Sequence, residues 1–216
     1  MNAHDPSGDP EDLVISAERA ENSVAWVREC STREEQDKRG SIILYPSLTY
    51  INPFYPKPDQ IDICDIAHAL ATTNRYGGHC PEPYNVAEHS VRVSERMATR
   101  PYYNEPTLLL AALLHDAEEA YFGDMPSPIK HNPEMASFRI AAKNMSVCIF
   151  RKYGLDHSLI DHTKWADNDE YFRERRAMWP AEPKDYEHPW SWYEAERAFL
   201  NRFDELQLRR SMGVAI

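Results

Sequence analysis

Three polar residues stand where a buried helix should be apolar. The run TLLLAALLHDAEEAYF, Thr107 to Phe122, is apolar on nearly all sides through its first two turns, which marks a central helix. It then presents His115 and Asp116 side by side, directly after Leu113 and Leu114. Burying such a pair is costly unless something satisfies it. A divalent cation would do so, because neutral imidazole and carboxylate both suit zinc, manganese, cobalt or iron. Glu119 follows His115 by four residues and Asp116 by three, so a helix carries it on the same face, where a carboxylate beside a metal could orient or deprotonate water.

Neighbouring helices must supply the remaining ligands. His89, in NVAEHSV, falls in the first turn of the preceding helix, and Asp167, in KWADNDE, falls in the middle of a later one. Two histidines and two aspartates from three packed helices make a four-ligand site with room for water.

The order His, then His-Asp, then Asp, spread over antiparallel helices, resembles the HD superfamily of metal-dependent phosphohydrolases. The flanking words NVAEHS, LLHDAEEAYFGDMPSPIK and KWADNDE are similar to the deoxynucleotidase branch and its phage and prophage relatives, over roughly residues 41–205. A lone HD dipeptide would be weak evidence; the four-part match with these flanks is specific. The resemblance implies His89, His115, Asp116 and Asp167 as ligands of a divalent metal (zinc, cobalt, manganese or magnesium) and Glu119 as the catalytic glutamate. It implies Asp124, in FGDMPSPIK, as a second functional acid, Lys130 as a phosphate contact, and Arg75, in NRYGGH, as an arginine near the scissile phosphate. Lys164, one turn before Asp167, is placed to reach outer phosphates. Tyr76 is the residue expected against a nucleobase, with His79 as a pocket residue and the 45–55 strap closing over the base. Hydrolysis of a phosphate ester needs a Lewis acid, an oriented water and cations over the developing charge, and this set provides all three.

The expected reaction is release of triphosphate from deoxynucleoside triphosphates, dATP first, as in the phage-type members. The alternatives are a 5'-deoxynucleotidase releasing phosphate from monophosphates and a di-iron oxygenase of the same fold. Extra histidines between the HD pair and the last aspartate serve two-metal members; His131 and His157 lie in that interval, but their contexts read as solvent or capping positions.

The elements that must hold these residues are helical. Asp62 caps a helix with Ile63, Ile66, Ala67 and Leu70 on one side; Asn85 and Glu88 resemble a capping box opening a helix with Val86, Val93 and Met97 inward. Asn132-Pro133 starts another, with Met135, Phe138, Met145, Ile149 and Tyr153 inward and Gly154 ending it. A fifth spans roughly His157 to Met178, and a last opens at Ser191 with Glu194 at its third position. Residues 40–60 mix β-branched and aromatic residues with prolines, as a short hairpin or extended strap would. The fold expected is an all-α HD-domain helical bundle over 41–216 with this small N-terminal strap. Residues 1–40 form a polar appendage in which Glu11 to Glu29 could be one amphipathic helix.

Composition bounds the rest. A chain of 216 residues with net charge −11 fits one domain and offers no broad basic surface for nucleic acid, so an anionic ligand must be met by a few concentrated cations. Cys30, Cys64, Cys80 and Cys148 include no close pair, so a zinc-ribbon site is not expected and reduced thiols in a cytoplasmic protein (host cytoplasm if phage-encoded) are. No apolar stretch approaches membrane-spanning length. The partner expected is a small-molecule deoxynucleotide, and the resemblance implies a homo-oligomer.

Overall fold

The computed structural model of the chain describes residues 40–179 and 188–213. Residues 42–216 form one compact unit, to which everything below refers; the appendage expected over 1–40, with its Glu11 to Glu29 helix, lies outside the described residues. The architecture is all-α with one small hairpin, β1 (Ile42–Ile43) and β2 (Tyr50–Ile51), paired antiparallel. Eight described helices follow: α1 (Ile63–Thr72), α2 (Val86–Ala98), α3 (Pro106–Leu113), α4 (Glu119–Phe122), α5 (Ser127–Lys130), α6 (Ala136–Lys152), α7 (Ile160–Met178) and α8 (Trp192–Ser211).

The bundle is organised around α3. Leu109, Leu110, Leu113 and Leu114 are fully buried, because α2, α7 and α8 pack against this helix and leave only Thr107 and Leu108 of it partly exposed. That is what an all-round apolar helix demands. Helix α8 also packs on α1 and α2, closing the bundle with Phe199, Phe203 and Leu206 inward. No described helix is long and apolar enough to cross a membrane.

Caps set most helix boundaries. The Asp62 carboxylate accepts the Cys64 N–H at 2.7 Å, and Ser191 with Glu194 forms a complete capping box on α8. Helix α6 ends in a Schellman turn, with Gly154 at φ 65° and the N–H groups of Leu155 and Gly154 donating to the carbonyls of Phe150 and Arg151. Asn132 caps a single 3₁₀ turn, Pro133 to Met135, before α6 proper, where Met135 and Phe138 are only partly buried.

Two expectations need correction. The Asn85 side chain accepts the Glu88 N–H at 2.8 Å, but Glu88 does not reach back. Its carboxylate instead binds Arg92 and the Trp190 N–H, tying α2 to the approach of α8. The helix expected from Thr107 through Phe122 breaks at the HD pair: α3 stops at Leu113 and α4 begins at Glu119. Between them the backbone bonds run to the third preceding residue, Ala117 to Leu114, Glu119 to Asp116 and Tyr121 to Glu118. That is the tighter 3₁₀ pattern, in which residues three apart eclipse.

The hairpin is fastened to the bundle through Asp65 of α1. Its carboxylate accepts the Ser47 N–H at 2.8 Å and the Ser47 hydroxyl at 2.6 Å, while Leu44 and Ile51 enter the core and Phe54 meets the edge of Phe122. Asp65→Ala should lower the unfolding free energy by about 1–3 kcal/mol, as loss of hydrogen bonds to a charged group does. Urea unfolding reads this directly; a change below about 0.5 kcal/mol would show the hairpin to be held by Leu44 and Ile51 alone.

Candidate functional site

The break after α3 serves His115. In a continuous α-helix the Ala112 carbonyl would accept the Asp116 N–H. Here it accepts His115 Nδ1 at 2.8 Å. A carbonyl only accepts, so Nδ1 carries the proton and Nε2 presents a lone pair. His89, fully buried on α2, is fixed in the same sense: its Nδ1 lies 2.6 Å from Oε1 of Glu174 on α7. Burial raises the Glu174 carboxyl, but His89 and Arg75 outweigh it and bring it to about 2, so Glu174 is ionised and can only accept.

Both Nε2 atoms therefore point into one space, 3.3 Å apart. Asp167 Oδ1 of α7 lies 3.2 Å from His89 Nε2 and 3.8 Å from His115 Nε2. Asp116 Oδ2 lies 3.1 Å from His115 Nε2 and 3.6 Å from His89 Nε2. Two ligands about 2.0–2.1 Å from one cation stand roughly 3.0–3.4 Å apart at octahedral to tetrahedral angles. The donors around the two imidazoles are thus spaced close to what a divalent ion would impose, and His89, His115 and Asp167 each offer one donor atom within 4.8 Å of the others. The electrostatics agree. Burial disfavours a charged His115, but Asp116 and Asp167 reverse this and hold its pKa well above the usual imidazole range. Burial likewise opposes ionisation of Asp116, and His115 and His89 overcome it. The cluster calls for positive charge, and a histidine and aspartate set is chemically suited to zinc, cobalt, manganese or iron.

The 3₁₀ stretch then decides which acids face the cluster. With three residues per turn, Asp116 eclipses Glu119 and His115 eclipses Glu118. Both glutamates are buried, at 6 % and 8 % exposure, and each leaves its Oε2 without a hydrogen-bond partner among the described residues. Lys130 of α5 reaches both, with Nζ 3.7 Å from Oε1 of each. Burial, then the Asp116 charge, raises the Glu118 carboxyl to about 7, and the same causes raise Glu119 well above the carboxylate range.

Arg75 and Tyr76 open a 3₁₀ turn between α1 and α2 that bends sharply, with Tyr76 at φ 60° and Gly77 at φ 59°. The Arg75 guanidinium is 3.3 Å from Glu174 Oε2 and 3.7 Å from Asp116 Oδ2, and its Nε is buried without a partner among the described residues. Tyr76 donates its hydroxyl to Glu174 at 2.5 Å, and its ring meets Trp179 edge-on at 5.2 Å. Asp124 follows Gly123, whose φ of 75° and ψ of 160° suit glycine almost alone. The Asp124 carboxyl accepts the Tyr76 N–H and lies within the influence of Arg75, Asp116 and Lys130.

Other named residues stay outside. Lys164 is two-thirds exposed and paired with Asp161 at 2.6 Å, and His79 is exposed on the 75–79 turn. His131 bonds the Ser127 carbonyl and His157 the Ser146 hydroxyl, so neither extends the donor cluster. Glu174 went unnoticed in sequence. The available signal was its position two turns after Asp167 on one helix, which puts it on the same face.

Comparison with known proteins is consistent with this geometry. Residues 63–144 match the family model described as 5'-deoxynucleotidase YfbR-like. The matched stretch holds Arg75, His89, the HD pair, Glu119, Asp124 and Lys130, and stops before Asp167 and Glu174. The chain is also 32 % identical over 120 residues to the uncharacterized protein YfdR of Escherichia coli K12, covering 56 % of this chain and 62 % of that protein. It is 47 % identical over 78 residues to an uncharacterized protein of Rhodobacter capsulatus, covering 35 % of this chain and 39 % of the other. The chain thus spans less than two thirds of each relative.

Loss of a donor should empty the site without unfolding the bundle. After loading with Mn²⁺ or Co²⁺, elemental analysis of the wild-type chain should find the metal, whereas His115→Ala and Asp167→Ala should have lost it while keeping the helical circular dichroism. Full metal content in both variants would rule out this centre.

Proposed function

We propose that the chain is a metal-dependent phosphohydrolase acting on deoxynucleotides, and that its reaction is release of phosphate from deoxynucleoside monophosphates. The observation that carries this reading is the convergence of His89 of α2, His115 and Asp116 of the turn after α3, and Asp167 of α7: both aspartates stand 3.1–3.8 Å from the two imidazole nitrogens, which are 3.3 Å apart. The description of the family model matched by residues 63–144 supplies the substrate class.

A bound divalent ion supplies Lewis acidity toward the phosphate and a water of lowered pKa. The chain's own groups do the rest. Glu119, held beside Asp116 by the 3₁₀ turn, takes the proton of the attacking water. Arg75 and Lys130 offer cations to the phosphate oxygens, and the orphaned Arg75 Nε gains an acceptor when an anion is present. Asp124 keeps the Arg75–Tyr76 turn against the site through the Tyr76 N–H. Water attacks phosphorus, the bond to the 5' oxygen breaks, and the leaving alkoxide takes the proton that Glu119 received, to give the deoxynucleoside.

The triphosphohydrolase reading, with dATP as substrate, drew on the strap, the RYGGH turn and Lys164 as an additional cation for the outer phosphates. Lys164 is exposed and ion-paired with Asp161, which favours the monophosphate. A di-iron oxygenase needs ligands for a second ion, and His131 and His157 are engaged with Ser127 and Ser146.

A panel of ribo- and deoxynucleotides carrying one, two or three phosphates, with Mn²⁺, Co²⁺ or Zn²⁺ and products separated, tests the proposal. Phosphate from deoxynucleoside monophosphates is the expected product; triphosphate released from dATP would overturn the monophosphate assignment. Glu119→Gln should retain metal and lose about 10²–10⁴-fold in kcat, the usual worth of a general base. A variant with wild-type kcat would remove Glu119 from that role.

A further inference from the structure

One fully buried carboxylate joins the two halves of the site. Glu174 Oε1 takes the His89 Nδ1 proton at 2.6 Å, while Oε2 takes the Tyr76 hydroxyl at 2.5 Å and faces Arg75 Nη2 at 3.3 Å. Its side chain has no solvent exposure, so none of these partners can be replaced by bulk water. The turn it grips is strained. Tyr76 is a non-glycine residue at φ 60°, and such a conformation persists only where the surroundings over-determine it. The surroundings here are the Tyr76 hydroxyl on Glu174, the Tyr76 N–H on Asp124 and the Arg75 N–H on the Tyr84 carbonyl at 2.8 Å.

We propose that Glu174 is the positioning residue that couples the metal centre to the Arg75–Tyr76 turn, so that the grip on the ion and the shape of the phosphate-facing turn are set together. The inference rests on the reading of His89 as a metal ligand. With its Nδ1 proton held by an ionised carboxylate, His89 has one tautomer and one ring orientation, and its Nε2 is the more basic for it. Tyr76 and Arg75 in turn fix where that carboxylate stands. Removing the Tyr76 hydroxyl therefore loosens the metal, although Tyr76 touches no metal ligand. By the reciprocity of linkage, a bound ion also steadies the turn.

Titration of the metal-free chain with Co²⁺, followed by its visible absorption, reads the coupling without any substrate. Glu174→Gln should weaken Co²⁺ about 10–100-fold and shift the absorption bands, as loss of a partner to a ligating histidine does. Tyr76→Phe, which deletes only a hydroxyl, should weaken Co²⁺ about 3–10-fold, a share of that partner's effect. In the Glu174→Gln background Tyr76→Phe should add nothing, because its route to the metal is gone. Ser191→Ala, which removes the α8 cap and whose hydroxyl bonds only Glu194 among the described residues, controls for general loss of stability and should leave Co²⁺ affinity unchanged. Wild-type affinity and spectrum in Tyr76→Phe, or additive losses in the double variant, would overturn the coupling while leaving the metal centre intact. A wild-type chain that takes up no Co²⁺ would instead overturn the metal-centre reading on which the coupling depends.

Discussion

Two imidazole lone pairs directed at each other across 3.3 Å, inside a bundle and flanked by two aspartates, cannot be left without a cation or a proton between them. Much of the surrounding structure can be traced to that constraint. His115 keeps its lone pair inward because its other nitrogen has taken a backbone carbonyl, and taking that carbonyl stops α3. His89 keeps its lone pair inward because Glu174 holds its other nitrogen, and a buried Glu174 in turn requires Arg75 and Tyr76. A buried carboxylate without such partners would cost several kcal/mol.

The interrupted helix has a second consequence. Had α3 continued as a regular α-helix, residues three apart would have been staggered by about 60° around its axis. The 3₁₀ segment stacks residues three apart, so two short columns form, Asp116 over Glu119 and His115 over Glu118. Lys130 is drawn to the second pair of acids from α5. The buried second half of α3 makes this precision possible. Its leucines are fixed by α2, α7 and α8, so the first residues after its end inherit a defined position.

The bundle was legible in sequence because it depends on patterns that sequence carries: apolar periodicity, side-chain caps at Asp62, Asn132 and Ser191, and Gly154 at a left-handed end. His115 and Asp116 were legible because they interrupt an apolar helix, and His89 and Asp167 joined them through the resemblance of their flanking residues. The break after Leu113 was not, since helical propensity through 107–122 is uniformly good and only a tertiary demand, the His115 bond to Ala112, overrides it. Glu88 kept half of its expected cap for a similar reason: Arg92 and the Trp190 N–H offered its carboxylate better partners than its own helix. Glu174 was hidden because an acid in a charged helix, among Arg173, Arg175 and Arg176, looks like a solvated face until the fold buries it. Lys164 erred in the opposite direction. It shares a face with Asp167 near the backbone, yet a long side chain can leave that face, and it leaves it for Asp161.

Charge balance bears on the ligand as much as shape does. Asp116, Glu118, Glu119, Asp124, Asp167 and Glu174 surround a space that contains the cations of Arg75 and Lys130 alone among the groups described above. Burial and the neighbouring acids raise the Glu118 and Glu119 carboxyls, so a divalent ion with Arg75 and Lys130 brings this inner space near balance, while the chain as a whole carries a net charge of −11. An entering phosphate therefore meets attraction only at short range, from the ion, Arg75 and Lys130, and repulsion beyond it. A phosphomonoester can place its whole charge within that small favourable zone. A triphosphate must extend its outer phosphates into the unfavourable one, unless further cations are supplied from outside the described residues or by additional metal ions bound to the nucleotide. Because screening weakens the outer repulsion more than the buried contacts, added salt should penalise the longer anion less than the shorter one.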